Sequence, residues 1–352
     1  MIHTRTALLT AAALAVAGAI GGAATVGLGL YNISAQAGHW PGVGPLLHTA
    51  FRQAIKLRAP SMDEAPDLSD PDLIALGAGH YATACTACHA APGEPRPATA
   101  LAMSPQPPHI EEAVADWKPN HMQWIVENGA KMTGMPGWPA LGRGDEAWSL
   151  AAYLTAIQEG TAPELPQPGL PLGRETDDPE QVKAYCQTCH GPVGGMVPRL
   201  DIQTPEYLLA QLQAYRGTGR PSGVMEQAVS LYPASMDPAL AAFLATEPTD
   251  RDAAGGSAEG QALATQGTRD VPACVACHGP HRSREPRAGQ PPFPALAGQN
   301  QAFIAAQLVL WRDQVVQGSD LMTAAARDLT DAQIEALAAW FAALPDDDGT
   351  QE

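Results

Sequence analysis

The chain has 352 residues, 34 of them Gly and 33 Pro, with 5% aromatic residues and a formal net charge of −17. That length exceeds one small core and sets an expectation of two to four domains. The acidic balance excludes a nucleic-acid partner, which needs a basic surface to neutralise phosphates, and points to docking partners with a basic face. So few aromatic side chains among so much Gly and Pro are a poor stock for small cores, so something other than side chains is expected to fill them.

Taken in chain order, the first element is apolar. After His3 and Arg5 no Asp, Glu, Lys or Arg occurs before Arg52, and Ala7 to Tyr31 is almost wholly apolar or small. As a helix such a stretch is about 37 Å long, enough to cross a hydrocarbon core of about 30 Å. Residues 1–31 therefore read as a single transmembrane anchor. The competing reading is a cleaved signal peptide ending at the small-x-small site Ala35-Gln36-Ala37, but the apolar run exceeds the roughly 7 to 15 residues usual in a signal. The short basic N-terminus is expected to stay in the cytoplasm, leaving the rest on the periplasmic side of a bacterial inner membrane. Residues 32–69 form a juxtamembrane segment whose Trp40, Leu46, Leu47, Phe51 and Ile55 fit either the membrane surface or a helix packed on the first globular unit.

The six cysteines fall into three pairs: Cys85-Thr86-Ala87-Cys88-His89, Cys186-Gln187-Thr188-Cys189-His190 and Cys274-Val275-Ala276-Cys277-His278. Each is C-x-x-C-H, the attachment signal of a c-type haem, in which two thiols bond to the porphyrin and the adjacent His binds iron. A closed zinc site would need each pair to recruit ligands from about 90 to 100 residues away, and a redox dithiol would not need His after the second Cys three times. A second axial ligand is expected, and a thioether is the soft choice that favours ferrous iron. In the first unit Met135 sits in Lys131-Met132-Thr133-Gly134-Met135-Pro136-Gly137-Trp138, with Met132, Met103 and Met122 as competitors. In the second, Met225 follows the polar run from Arg216 to Gly223, while Met196 lies close to His190 and Met236 begins the final helix. Met322 is the one Met after Cys277. His80, His109, His121 and His281 are the alternative ligands, and a surface role is the better reading for all four.

The second and third units are duplicates. Pro198, Leu200, Gln203, Tyr207, Gln211, Leu212 and Arg216 match Pro294, Leu296, Gln299, Phe303, Gln307, Leu308 and Arg312 at identical offsets. The loop from His278 to Pro294 is eight residues longer than that from His190 to Pro198, and this insertion is rich in Arg and Pro. The first unit lacks the register. Ser69-Asp70-Pro71 offers a cap and a first-turn Pro ahead of a helix over Leu73 to Thr83, where Gly77 and Tyr81 share a face that a closing helix can cross. Asp145 to Ile157, Asp237 to Ala245 and Thr330 to Leu344 read as closing helices, the last with a capping box at Thr330 and Gln333. No run alternates as a strand. The domains expected are 70–160, 179–246 and 258–345, joined by Pro-, Gly- and acid-rich linkers at 161–178 and 247–257 and followed by an acidic tail at 346–352.

On these residues the chain resembles a membrane-anchored triheme cytochrome c, all-α, with three tandem class I cytochrome c domains wrapped around covalent haems. The second and third units are similar to the tandem diheme cytochromes c, whose P-x-L-x-x-Q…QL…R pattern runs from Pro198 to Arg216 and from Pro294 to Arg312. The first resembles single-haem anchored cytochromes bearing K-M-T-G-M-P, with Gly77 and Tyr81 matching the family's contact between first and last helices. The second unit departs in having no Gly ahead of its haem motif, the third in placing Ala264 four residues after Gly260. The resemblance implies Met135, Met225 and Met322 as distal ligands, and the carbonyls of Pro198 and Pro294 as acceptors of a hydrogen bond from the proximal His. It implies three covalently bound haems c and single-electron relay, with no catalytic residue, to or from a redox partner such as a terminal oxidase, a quinol-oxidising complex or a dehydrogenase. The rival readings are a cytochrome subunit of a periplasmic dehydrogenase, a peroxidase-like haem enzyme with one open iron, and a passive assembly subunit.

Overall fold

A computed structural model of the chain describes residues 2–167, 176–191, 193–217, 219–246, 255–279 and 293–345. The expected acidic tail, His281, most of the insertion after His278 and much of both linkers lie outside the described residues. Every regular element among the described residues is a helix. Ile2–Gly27 is the first, and Thr4–Gly27 within it is long and apolar enough to cross a membrane, with none of that apolar stretch buried. The helix Val43–Arg58 follows. Its Ile55 is fully buried, Phe51 meets Trp117 edge-on at 6.2 Å, and Arg52 lies 4.7 Å over the same ring, so one face packs on the first unit. Leu46, Leu47 and Leu57 on the same helix remain exposed.

In the first unit the opening helix Pro71–Ala84 starts two residues before the expected Leu73, because the Asp70 side chain accepts the Asp72 N–H at 2.9 Å and Pro71 occupies the first turn. It crosses the closing helix Gly144–Glu159 at Gly77, where an added Cβ would lie 2.0 Å from the Ser149 carbonyl oxygen. Tyr81 and Tyr153 seal the crossing with ring centroids 5.3 Å apart. The third unit repeats this with Ala258–Gln266 and Asp331–Ala343: a Cβ on Gly260 would fall 1.9 Å from the Ala336 carbonyl oxygen. Ala264, where the aromatic partner is missing, is fully buried, so the smaller residue lets the helices stay close. The second unit has no such glycine, and its closing helix Asp237–Leu244 packs mainly on Pro205–Arg216 rather than on the opening helix Pro179–His190.

The duplication of the second and third units extends to their salt bridges. Arg216 bonds Asp237 at 3.0 Å and Arg312 bonds Asp331 at 2.6 Å, each carboxylate being the first residue of its closing helix. Each Arg also donates to a carbonyl shortly upstream of that helix, Val229 or Leu329. Buried apolar side chains gather in three main clusters, one around Tyr81, Leu150 and Tyr153, one around Val182, Leu208 and Leu240, and one around Ile304, Leu337 and Phe341.

Because a carbonyl oxygen of the helix backbone cannot yield as a side chain would, Gly77→Ala and Gly260→Ala should each cost at least ~1–3 kcal/mol in urea unfolding. Gly44→Ala, where nothing lies within 4 Å of the added carbon, should not destabilise the chain.

Candidate haem sites

Residues at i, i+3 and i+4 share one face of a helical turn, so Cys-x-x-Cys-His presents two thiols and an imidazole together. Cys85 and Cys274 each cap a short turn, Thr86–His89 and Val275–His278, closed by His N–H donation to the first Cys carbonyl at 2.9 and 3.0 Å. Cys186, Cys189 and His190 end the helix Pro179–His190. All six thiols are free of disulfides. Among the described residues no group of three or more His, Cys, Asp or Glu is arranged to hold a metal ion on its own. Burial pushes the thiols of Cys85 and Cys186 up to about 12 and that of Cys274 up to about 11.

The three histidines are held alike. His89 Nδ1 lies 2.9 Å from the Pro108 carbonyl oxygen, His190 Nδ1 3.3 Å from that of Pro198, and His278 Nδ1 3.1 Å from that of Pro294. A carbonyl only accepts, so the Nδ1–H donates and Nε2 keeps the lone pair that a metal takes. Burial lowers the pKa of each of these rings and keeps it neutral. Two free thiols with a neutral imidazole whose tautomer is fixed fit the donor set of a c-type haem. The contacts expected at Pro198 and Pro294 are present. Pro108 was not foreseen, because the first unit lacks the register that marks the other two.

Met225 and Met322 occupy the same structural position, the third residue of a short helix capped by serine. Met225 N–H donates to Ser222 Oγ at 3.2 Å and Met322 N–H to Ser319 Oγ at 3.3 Å, and both side chains are half-buried. Met135 is half-buried too, and its N–H is held by Thr133 Oγ1 at 3.1 Å. Its competitors are placed differently: Met132 is 94% exposed, Met122 is buried in the first core, and Met103 packs against Gly134. The surface reading of His80 is wrong. Its ring is buried and lies 4.7 Å from that of Trp138, and burial pushes its pKa down to about 4. His109 is half-buried and caps the turn starting at Ile110, with its Nε2 2.9 Å from the Glu94 carbonyl oxygen, while the His121 ring accepts the Lys118 N–H.

The Met135 and Met225 loops meet at a buried carboxylate that the sequence did not single out. Glu146 accepts from Trp138 Nε1 at 2.9 Å, Ser222 Oγ at 2.6 Å, Gly223 N at 2.7 Å and the Arg143 guanidinium at 2.8 Å. Burial pushes this carboxyl up, opposed by Arg143 and Ser222. Arg143 also reaches the Pro221 carbonyl at 2.6 Å, and a Cβ on Gly223 would lie 2.2 Å from Trp138 Nε1. In sequence Glu146 looks like any acidic residue in the first turn of a helix, where the dipole favours it. The first and second units also touch where Leu76 packs with Val193 and Val197 and Gly79 faces Cys189 Sγ.

Fold and site together define a multi-domain c-type cytochrome, and comparison with known proteins agrees. The family model described as cytochrome c oxidase, cbb3-type, subunit III matches residues 72–154 and again 257–341. The thiosulfate dehydrogenase electron acceptor of Thiomonas intermedia is 36% identical over 46% of this chain and 79% of its own length. Cytochrome c4 of Thiocapsa roseopersicina is 30% identical over 53% of this chain and 98% of its own. The crystal structure of reduced cytochrome c4 from Pseudomonas stutzeri, 29% identical, covers 48% of this chain and all of that one with a TM-score of 0.41. The chain belongs to the c-type cytochrome family, binds covalent haem c, and is an electron carrier rather than an enzyme.

Glu146→Gln replaces one acceptor oxygen with a donor facing donors. It should lower the stability of the junction by roughly 3–5 kcal/mol, measured by urea unfolding of the full chain.

Proposed function

We propose that the chain is a membrane-tethered periplasmic relay that passes single electrons through three haems c in three cytochrome domains, 70–160, 179–246 and 258–345. The thiols of Cys85 and Cys88, Cys186 and Cys189, and Cys274 and Cys277 would attach the haems, and His89 with Met135, His190 with Met225, and His278 with Met322 would hold the irons. The observation that carries this reading is the threefold recurrence of one arrangement, an imidazole beside two free thiols with its Nδ1 on a proline carbonyl. The haems would supply one-electron exchange, and a histidine and a methionine on each iron would leave no open position for a substrate. The proline carbonyls fix the tautomer and orientation of each ring, and the shared serine caps hold Met225 and Met322 in equivalent places. The apolar helix Thr4–Gly27 is the proposed anchor, and the exposed Leu46 and Leu47 on the next helix suit the lipid boundary.

For the electron source, one observation favours a dehydrogenase: two relatives, from Thiomonas intermedia and Stutzerimonas stutzeri, are each named a thiosulfate dehydrogenase electron acceptor. The proposed role is thus to accept electrons from a periplasmic dehydrogenase and deliver them toward a respiratory oxidase.

Haem analysis of the purified full chain should give three haems per chain, and Met322→Ala should turn one of the three high-spin in absorption and electron paramagnetic resonance spectra. A spectrum identical to that of the parent would remove Met322 as a ligand. With a net charge of −17, electron exchange with a basic partner should slow as ionic strength rises from about 0.01 to 0.15 M, where the Debye length falls from about 30 to about 8 Å. A stopped-flow rate independent of salt would exclude electrostatic docking.

A further inference from the structure

The second and third units hold each other through a reciprocal pair of glutamines at the same register position. Gln299 Nε2 donates to the Arg199 carbonyl at 3.0 Å, and Gln299 Oε1 accepts the Arg199 N–H at 2.7 Å. Gln203 does the same to Ala295, donating at 2.9 Å and accepting at 3.0 Å. Both glutamines are buried, and each amide is oriented unambiguously because its oxygen faces an N–H and its nitrogen faces a carbonyl. The Asn300 N–H, 2.9 Å from Gln299 Oε1, pins that oxygen further.

The residues clamped are those that directly follow the two prolines. The peptide group whose N–H belongs to Arg199 is the one whose carbonyl belongs to Pro198, the acceptor for His190. A continuous chain therefore runs from Gln299 Oε1 through this single peptide to His190 Nδ1. Its counterpart runs from Gln203 Oε1 through the Pro294–Ala295 peptide to His278 Nδ1.

We infer that Gln299 and Gln203 are positioning residues that set, across the interface, the ligand strength of the proximal histidine in the opposite unit. An acceptor on a peptide N–H drives electron density onto its carbonyl oxygen, and hydrogen bonds in such a chain strengthen one another by about 10–30%. A more basic carbonyl draws the Nδ1 proton outward, makes the imidazole a stronger donor and favours ferric iron. Each unit thus tunes its neighbour's haem rather than its own. The first unit, whose His89–Pro108 contact lies outside this clamp, is the internal control.

The inference rests on the proposed haem ligation, so haem content is measured first on the same full-length holoprotein. Fewer than three haems in the parent would overturn that reading, a result distinct from any below. Redox titration followed through haem-methyl NMR resonances assigned to each unit then reads the three sites separately. Gln299→Met, of similar size but without the acceptor, should raise the ferrous-to-ferric ratio of the second unit's haem three- to tenfold at fixed applied potential, tenfold being about 59 mV for one electron. The haems of the first and third units should move by less than twofold, and the His190 Nδ1 proton should shift upfield. Gln203→Met should act in the same way on the third unit. Gln299→Glu, which keeps a stronger acceptor, should shift the second unit's haem the opposite way, and it carries the test if the Met variant loses haem. A shift confined to the unit that carries the substitution, an equal shift at both haems, or none with all three haems present would overturn the inference.

Discussion

The hydrogen bond from the C-x-x-C-H imidazole to a proline carbonyl is the constraint on which the rest of the architecture converges. It needs the histidine on the turn that bears the two thiols, and it needs a proline whose missing N–H removes a competing donor and whose fixed φ holds the loop. Three loops of different length meet that need, from Pro108, Pro198 and Pro294. The helices then serve to hold the ends of these loops. In the first and third units a glycine lets the opening and closing helices touch backbone to backbone, while in the second the closing helix leans on Pro205–Arg216 and is tied to it by Arg216 and Asp237.

The two junctions between units are built from different groups. Between the first and second, one buried carboxylate gathers four donors, so the contact depends on charge and on excluding water from Glu146. Between the second and third, neutral amides pair with backbone groups, and Asn300 adds a bond of 2.7 Å to the Val197 carbonyl. Arg220 completes the second junction by bridging Gln211 and Gln307, the register-matched pair one helix further on.

Much of this was legible in the sequence where the chemistry leaves no freedom of residue type. C-x-x-C-H, Gly77 with Tyr81, the Asp70-Pro71 start and the capping box at Thr330 each need particular side chains at particular offsets, and each is found in place. The duplicated register named Gln203 and Gln299 but not their role, because a period within one chain does not show which copy a side chain faces. Pro108 was hidden because only its carbonyl acts, and a carbonyl has no letter in the sequence. Glu146 and His80 were hidden because burial, not identity, gives them their significance, and a polar residue on a helix is ordinarily assigned to water. The likeness of Ser222-Met225 to Ser319-Met322 lay in plain view once the two loops were compared at their caps rather than at their cysteines.

The paired glutamines give the second and third units an isologous contact of the kind that joins two identical subunits, but inside one chain. Identical subunits must keep such a contact symmetric, since any substitution appears on both sides at once. Covalent fusion lifts that restriction, and the symmetry is broken at the clamped residue itself, Ala295 on one side and Arg199 on the other. The Arg199 guanidinium reaches the Gly298 carbonyl at 3.0 Å and pairs with Asp201 at 2.7 Å, placing a charge pair beside Pro198, whereas Ala295 brings no charge to Pro294. Two sites built on the same backbone thus differ in the side chain carried by the clamped peptide, a difference that two identical subunits could not hold.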